Sequence, residues 1–315
     1  MVLNKLSIVV PVFNEEGNVN RLFYEIKKVC LSMSGEGAIK DYEVIIVNDG
    51  SRDRTQVFLE KIKSNEKKLK IIMLRRNFGQ TPALKAGFDN STGEVIVTMD
   101  GDLQNDPKDI PALLAKLDEG YDAVSGWRHN RKDKFGKKIS SMIMNKLRKT
   151  LIEDNMHDYG CSLKAYRREC LKDLQMFGEL HRYITAYLYI KGYKIGEIKV
   201  NHRPRKSGQT KYGFSRGLNG ILDLFFLKFW ADYSGRPLHF FGRIGLYQWL
   251  IAVLIAIEQI IKAFLIGSLE FGPLLAISSM LVITGLLTMM FGFLSEIMSH
   301  IYFKEEKIYS IRKII

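Results

Sequence analysis

Two carboxylates and an amide alternate along the chain where a short apolar run ends. The run Glu94–Met99 is rich in β-branched residues and has the length of a strand, and Asp100, Asp102 and Gln104 follow it. Ligands of open α/β sheets bind beyond the carboxyl ends of the strands. Two acids at such a place, with Gly101 allowing a close turn of the backbone, suit a hard divalent cation that bridges to phosphate oxygens. A solvated acidic turn also produces an isolated Asp-x-Asp, so the rest of the chain decides between the two.

Strand-like and helix-like runs alternate through the first part of the chain. Five runs have the length and composition of strands: Leu6–Val12, Tyr42–Val47, Lys70–Leu74, Glu94–Met99 and Tyr121–Ser125. Helices are predicted at 19–33, where apolar residues recur at helical spacing, and at Arg54–Ile62, Pro82–Asp89 and Pro111–Leu117. Repeated β-α-β units predict an α/β fold with a mostly parallel sheet covered on both faces.

The composition indicates an anionic partner. The 315 residues carry a net charge of +13, which suits nucleic acid, a membrane surface or a phosphorylated substrate. Nine Lys or Arg residues and the single acid Asp133 lie in 128–149, and 199–216 holds six basic residues and no acid. Cys30, Cys161 and Cys170 lack C-x-x-C spacing, so neither a disulfide framework nor a zinc site is expected.

Two long apolar stretches near the C-terminus predict a pair of membrane-spanning helices. Phe271–Ser295 contains no Asp, Glu, Lys or Arg. Ile244–Ile266 is nearly as apolar but contains Glu258 and Lys262, which would pair four residues apart on a helix. A buried or interfacial helix is the alternative for this first stretch. Nucleic-acid binding would account for the charge but not for these stretches, so no nucleic-acid partner is expected.

The charge of the C-terminal tail predicts the orientation in the membrane. The basic residues of the tail are Lys304, Lys307, Arg312 and Lys313, whereas the hairpin Gly267–Gly272 has none. The positive-inside tendency therefore predicts that the tail and the N-terminal domain face the cytoplasm. The predicted segments are an α/β domain at 1–213, an amphipathic juxtamembrane segment at 214–241, a two-helix hairpin at 242–300 and a basic tail at 301–315. Small residues such as Gly285 and Gly292 leave a homo-oligomer formed through the spans open.

Four motifs occur in an order that characterises a known family. They are Ser7–Glu16 (SIVVPVFNEE), Val47–Ser51 (VNDGS), Arg76–Gln80 (RNFGQ) and Met99–Gln104 (MDGDLQ). On these residues the chain resembles the family 2 glycosyltransferases with the GT-A fold. Within that family it is similar to the polyprenyl-phosphate group, which includes dolichol-phosphate mannose synthases and bacterial undecaprenyl-phosphate glucosyltransferases. Two positions depart from the pattern: Phe13 stands where the family often has Tyr, and Asn48 where it commonly has Asp.

The resemblance implies roles for particular residues. Those that would line the nucleotide-sugar pocket are Pro11, Phe13, Glu15, Val47, Asp49, Asp100, Gly101, Asp102 and Gln104. Asp102 and Gln104 would also hold Mg²⁺ or Mn²⁺ against the diphosphate. The acceptor phosphate would be received by Arg128, Arg131 and Ser141. The implied catalytic residues are Asp102, Arg128, Arg205 and Lys211, the last two from a basic loop that closes over both phosphates. The Asp158–Cys161 segment resembles a further family element near the acceptor, or is a simple turn.

The reaction implied by the resemblance is transfer of a sugar from a UDP- or GDP-sugar to a polyprenyl phosphate at the cytoplasmic face of the membrane. A lipid phosphate is anionic near neutral pH, so it attacks the anomeric carbon without a strong general base, which predicts inversion there. The nearest alternative is a family 2 enzyme with a saccharide or another lipid as acceptor. Processive synthases of that kind usually carry a Gln-x-x-Arg-Trp motif and more spans, and the sequence has neither. A non-catalytic membrane adaptor is the alternative from another class, and the intact Asp100–Gln104 motif counts against it.

Overall fold

The computed structural model describes residues 2–129, 156–172, 180–204, 236–266 and 272–303, with a few single positions between these ranges. The chain divides into two compact units, residues 1–226 and 227–315. The first contains a sheet with its helices, and the second contains two long apolar helices. The basic tail from 304 and most of 214–235 lie outside the described residues. The division into four segments therefore stays a prediction.

Seven strands form one sheet in the order β3-β2-β1-β4-β6-β5-β7. The strands are β1 Leu3–Val12, β2 Ile39–Asn48, β3 Leu69–Met73, β4 Val95–Thr98, β5 Ala123–Trp127, β6 Lys164–Arg167 and β7 Ile195–Lys199. The pairs β1–β2, β1–β4, β2–β3 and β5–β7 are parallel, whereas β6 runs antiparallel to both β4 and β5. The predicted mostly parallel sheet is confirmed, and the five predicted strands correspond to β1–β5.

The sequence pattern does not predict β6 and β7. Strand β6 has only four residues, and a charged residue stands at each end, Lys164 and Arg167. Lys164 is nevertheless buried, at 2% exposure, so a hydrophobic pattern cannot mark this strand. Strand β7 is only partly buried and contains Gly196 and Glu197, which are uncommon in strands.

Helices cover both faces of the sheet. In the first unit they are α1 Val19–Gly35, α2 Thr55–Asn65, α3 Gln80–Asp89, α4 Ile110–Asp118 and α5 Ile184–Ile190. The six residues that predict α1 by their spacing are its buried residues: Val19, Leu22, Phe23, Ile26, Cys30 and Met33. Helices α1, α2 and α4 share one hydrophobic core with one face of the sheet. Helix α3 contacts the other face so closely that a Cβ on Gly87 would lie 2.2 Å from Val9 Cγ1.

Two helices of the second unit are long and apolar enough to cross a membrane: α6 Pro237–Ile266 and α7 Pro273–Phe303. The two helices pack closely where Gly285 of α7 faces Trp249 of α6. A Cβ on Gly285 would lie 2.5 Å from Trp249 Cδ1, so a larger residue would not fit there without a shift. The Trp249 indole N–H donates to the Val282 carbonyl oxygen at 3.0 Å. The predicted pairing of Glu258 with Lys262 is present, at 2.5 Å.

Candidate functional site

The carboxyl ends of β1, β2 and β4 meet at one edge of the sheet. The Asp49 N–H, just after β2, donates to the Val12 carbonyl oxygen at the end of β1 at 2.9 Å. After β4, the chain crosses the end of β1 at Gly101. A Cβ there would lie 2.7 Å from Val12 Cγ1 and 3.3 Å from the Pro11 carbonyl oxygen. Only glycine allows this close crossing, which places the acidic loop directly beside the loop that follows β1.

Asp100 is the first side chain of that acidic loop. Its carboxylate accepts a hydrogen bond from the Gln80 amide at 2.7 Å, and Gln80 is the first residue of α3. Its backbone N–H donates to the Asn105 side-chain oxygen at 3.3 Å. Burial and the neighbouring Asp102 carboxylate raise the pKa of Asp100 above its ordinary value, against the opposing effects of Ser162, Arg128 and Gln80. Two carboxylates are thus held close together at a place where water solvates them poorly.

The backbone between Asp102 and Gln104 turns through a left-handed residue. Leu103 has φ +62°, a conformation that residues other than glycine rarely adopt. Its side chain is buried, and the Gln104 N–H returns to Asp102 Oδ1 at 3.1 Å. The turn therefore brings Asp102 and Gln104, the two predicted cation ligands, into one tight loop.

The oxygen donors of this loop fit a divalent cation. A positive ion near Asp100 and Asp102 would relieve the repulsion that raises the pKa of Asp100. Among the described residues, no three His, Cys, Asp or Glu side chains form a group that could hold a metal alone. Mg²⁺-type sites commonly combine one or two carboxylates with substrate phosphates. Two carboxylates and the Gln104 amide are consistent with a site of that kind.

The segment after β7 lies against the acidic loop. The Arg203 N–H donates to the Gln104 carbonyl oxygen at 2.8 Å, and His202 Nε2 lies 3.4 Å from the Gln104 side-chain nitrogen. The Arg203 guanidinium pairs with Glu25 of α1 at 2.6 Å and with Asp106 at 2.7 Å. The described start of the basic stretch 199–216 is therefore anchored next to the predicted cation ligands.

The loops that follow β1 and β2 are joined by hydrogen bonds. The Asn14 N–H donates to Ser51 Oγ at 2.9 Å, and the Glu15 N–H donates to Thr55 Oγ1 at 2.8 Å. Asn14 is the other described residue besides Leu103 that has a positive φ without being glycine, at +57°. The predicted pocket residues Pro11, Phe13 and Glu15 are partly exposed, Pro11 near the end of β1 and the other two in the loop that follows it.

Two further predicted pocket residues have structural partners. The Asp49 carboxylate is buried and accepts the N–H groups of Phe78 at 2.7 Å and Gly79 at 2.9 Å, so it stabilises the turn before α3. Val47 is fully buried, and its side chain lies beneath Gly87 of α3. Contact of either residue with a nucleotide stays a prediction.

Arg128 is held at the end of β5 by a bidentate ion pair with Asp158. Nε donates to Oδ2 at 2.7 Å and Nη2 donates to Oδ1 at 2.9 Å. Gly160 makes room for this geometry, because a Cβ there would lie 2.9 Å from Nη2. Burial acts to lower the pKa of Arg128, but Asp158 outweighs it and the pKa is raised, so the guanidinium stays charged. Within the described chain Nη1 makes no hydrogen bond, which leaves the Nη1/Nη2 edge for an anion.

The structure places most of the predicted site residues at this edge of the sheet, and the rest cannot be located. Arg131, Ser141, Arg205 and Lys211 lie outside the described residues. Gln80 and His202 carry no predicted role, although both lie beside the acidic loop. Gln80 is the last residue of the RNFGQ motif, and this motif is the sequence feature that could have indicated a role for it. His202 contacts Gln104 across 98 positions of sequence, and no local pattern shows such a pairing.

Comparison with known proteins agrees with this architecture. The family model for glycosyl transferase family 2 matches residues 7–175. The dodecaprenyl-phosphate galacturonate synthase of Rhizobium johnstonii is 40% identical over 309 residues, which cover 96% of this chain and 90% of that protein. Two crystal structures of glucosyl-3-phosphoglycerate synthase from Mycobacterium tuberculosis share the fold. The one with Mn²⁺ and UDP-glucose has a TM-score of 0.53 at 19% identity, covering 74% of this chain and 81% of the other.

The second of these structures also contains phosphoglyceric acid. It has a TM-score of 0.55 at 18% identity and covers 71% of this chain and 80% of the other. At that level of identity the likeness shows the fold alone, and it confirms the Rossmann-like GT-A architecture. The match to the curated synthase extends over nearly the whole chain, and it excludes the adaptor alternative. This chain belongs to glycosyl transferase family 2 and is a glycosyltransferase.

Proposed function

We propose that this protein transfers a sugar from a nucleoside-diphosphate sugar to a polyprenyl phosphate at the cytoplasmic face of a membrane, with a divalent cation and with inversion at the anomeric carbon. The observation that carries the proposal is the 40% identity to a dodecaprenyl-phosphate sugar synthase over 96% of the chain. That match includes the region of the two apolar helices, which a lipid acceptor would require for access from the membrane.

Arg128 supports a phosphate as the acceptor. A guanidinium recognises phosphate through two parallel N–H donors, and the Nη1/Nη2 edge of Arg128 is fixed in direction by Asp158 on the opposite edge. A saccharide hydroxyl as acceptor would instead need a base to remove its proton. The Asp158 carboxylate already accepts hydrogen bonds from Arg128 and from the Gly160 N–H at 3.1 Å. Because these partners stabilise the ionised carboxylate, Asp158 is poorly suited to remove a proton from a hydroxyl.

The acidic loop supports cation dependence. Asp102 and Gln104 would hold Mg²⁺ or Mn²⁺ together with the diphosphate oxygens, and Mn²⁺ is present in the structural neighbour that contains UDP-glucose. When bound, the ion would supply Lewis-acid stabilisation of the leaving nucleoside diphosphate.

The proposed transfer needs no general base, because the attacking phosphate oxygen is already anionic. An oxygen of the acceptor phosphate forms a bond to the anomeric carbon while the bond from that carbon to the diphosphate oxygen breaks, and the nucleoside diphosphate leaves with the electron pair. Asp100 would contact the nucleotide or the sugar, and Arg128 would orient the attacking phosphate. Arg205 and Lys211 would reduce the repulsion between the two phosphate groups. Catalysis would then rest on positioning and electrostatics.

A donor panel tests the proposal. Detergent-purified full-length protein would be mixed with dodecaprenyl or undecaprenyl phosphate, Mn²⁺ and, in turn, UDP-galacturonic acid, UDP-glucose and GDP-mannose. The galacturonate in the name of the relative puts the first donor at the head of the panel. We expect one donor to yield a glycolipid in a reaction that EDTA stops. Donor hydrolysis without glycolipid would overturn the acceptor assignment, and full activity in EDTA would overturn the cation assignment.

A further inference from the structure

Glu197 is a largely covered carboxylate that the proposed reaction does not use. It lies on β7, opposite Ser125 of β5 in the parallel register, and its side chain is 12% exposed. Its oxygens accept hydrogen bonds from the Asp158 N–H at 2.9 Å and from the His157 N–H at 3.0 Å. A third bond joins it to the His157 ring nitrogen Nδ1 at 2.8 Å. All three bonds end on one two-residue turn.

That turn carries the carboxylate that orients Arg128. The two oxygens of Asp158 accept Nε, Nη2 and the backbone N–H of Arg128, the last at 3.2 Å. Because Arg128 is mostly buried, its guanidinium has little room to choose another direction. The direction of its outer edge therefore depends on the position of Asp158, and the position of Asp158 depends on the two backbone N–H groups that Glu197 holds.

A second contact holds the same turn from the side of β5. The rings of His157 and Trp127 stack with centroids 4.2 Å apart and planes 16° apart. Trp127 is the last residue of β5 and immediately precedes Arg128. The stacked rings therefore attach the turn to the end of that strand, next to the ion pair. Loss of the Glu197 bonds would remove the backbone contacts that fix this turn from the side of β7 and would let the Asp158 carboxylate move.

We infer that Glu197 is a positioning residue for the acceptor phosphate: it holds the His157–Asp158 turn, which sets the direction in which Arg128 presents its free edge. The inference rests on the proposed function, because it takes the acceptor phosphate to be the anion that Arg128 receives. Glu197 itself does not touch the substrate. Residues that support metal ligands commonly change affinity or activity about 10- to 100-fold when they are removed, and we expect the lower end of that range for the support of Arg128.

The test measures separate KM values for the lipid phosphate and the nucleotide sugar in Glu197→Gln. We expect the acceptor KM to rise about tenfold, with the donor KM unchanged. Glu43→Gln is the matched control, because Glu43 is a carboxylate on β2 that is also 12% exposed and accepts the Thr92 N–H at 2.7 Å. Both variants would lose some thermal stability. An equal acceptor KM in the two variants would overturn the inference.

A double variant separates this inference from the proposed function. In an Arg128→Lys background, Glu197→Gln should add little to the acceptor KM if it acts through the guanidinium. Full additivity of the two substitutions would refute action through Arg128. If Arg128→Lys alone leaves the acceptor KM unchanged, the phosphate role of Arg128 fails first, and the inference about Glu197 fails with it.

Discussion

At the scale of single residues, the acidic loop and the neighbouring loop after β1 contain features that oppose folding. Asp100 and Asp102 are like charges held close together, and Leu103 and Asn14 have left-handed backbone conformations. Each of these is unfavourable in the empty protein and persists only because the surrounding structure requires it. Bound diphosphate and cation would use the same carboxylates, so the loop is arranged for its ligands at the expense of stability.

Asp100→Asn should stabilise the protein in the absence of metal and nucleotide while it lowers turnover. The folded pKa of Asp100 is raised above the ordinary value of 3.8, so the unfolded chain ionises first as the pH rises. The free energy of unfolding of the native sequence therefore falls as the pH rises from that value through the folded pKa, and the Asn variant lacks this loss. We therefore expect a higher Tm for the Asn variant at pH 7.

The Tm difference should shrink as the pH is lowered below the ordinary pKa, since Asp100 is then protonated in both states. Asp89→Asn is the control, because Asp89 is exposed at the end of α3 and pairs with Lys85 of the same helix. A Tm difference for Asp100→Asn that is constant from acid to neutral pH would contradict the assigned cause.

Asp102→Asn and Arg128→Ala should each nearly abolish glycolipid formation. The first removes a predicted cation ligand, and the second removes the group that would receive the acceptor phosphate in the proposed reaction. We expect a loss in kcat of about 100-fold or more, as for other preorganised electrostatic groups. Steady-state rates would be measured beside circular dichroism spectra that show an intact fold. Near-normal turnover in either variant would refute the role given to that residue.

At the scale of elements, the turns between strands and helices position the site. Asp49 joins the end of β2 to the start of α3, and Gln80 at that start holds Asp100. Gly50 lies directly against the chain before α3 and has φ +68°. A Cβ on Gly50 would clash with the backbone there, because it would lie 2.4 Å from the Arg76 carbonyl carbon. A shift of this turn would therefore move two walls of the site together.

Gly50→Ala should destabilise the protein more than Gly37→Ala. Both glycines have positive φ, but a Cβ on Gly37 would meet nothing within 4 Å. The Gly37 variant should lose about 1–2 kcal/mol from backbone strain alone. The Gly50 variant should lose roughly 1–3 kcal/mol more, because the backbone of Arg76 must move. Thermal unfolding of the two variants measures the difference, and equal losses would show that the turn yields easily.

Within the hairpin, Gly285→Ala should weaken the packing of α6 against α7. A Cβ on Gly285 would lie 2.5 Å from the Trp249 ring, whereas one on Gly242 of α6 would have its nearest contact at 3.8 Å. Gly242→Ala is therefore the matched control. We expect a lower Tm in detergent for the Gly285 variant alone, by an amount equivalent to about 1–3 kcal/mol. Identical melting of the two variants would contradict the close helix packing.

The elements also show what the sequence predicts well and what it cannot. The spacing of the apolar residues predicts α1 and all of its buried positions, and β-branched runs predict β1–β5, because burial on one face leaves a periodic record. Strand β6 leaves none, since its buried Lys164 bonds to the carbonyl oxygens of Tyr159 and Arg182 rather than packing as a hydrophobic side chain. Burial lowers the pKa of that lysine to about 8. The Asp158–Arg128 pair spans 30 positions and depends on the fold itself.

At the scale of the whole molecule, the chain joins a glycosyltransferase unit to two apolar helices. The net charge of +13 and the basic stretches at 128–149 and 199–216 suit an anionic membrane surface as well as phosphorylated substrates. The placement of the catalytic unit and the tail in the cytoplasm follows from the distribution of basic residues and stays part of the proposal.

A chain that ends at residue 226 should keep its donor affinity and lose its transfer to lipid in vesicles. The predicted cation and nucleotide residues belong to the first unit, whereas in the proposed function the helices of the second unit would give access to a membrane-embedded acceptor. We expect the Kd for the nucleotide sugar to stay within about threefold, less than 1 kcal/mol, because the predicted ligands are unchanged. Full transfer by the shortened chain would show that the helices are dispensable for acceptor access.

The position of β6 has a consequence for the nascent chain. Strands β4 and β5 do not pair with each other, because β6 lies between them in the sheet. During synthesis, β4 and β5 emerge before β6, whose first residue is Lys164. Until the ribosome has passed that point, β4 offers an unpaired edge to any other extended chain. Translation pausing between β5 and β6 would therefore prolong the period in which this protein is open to aggregation, and a chaperone that covers strand edges would act in that interval.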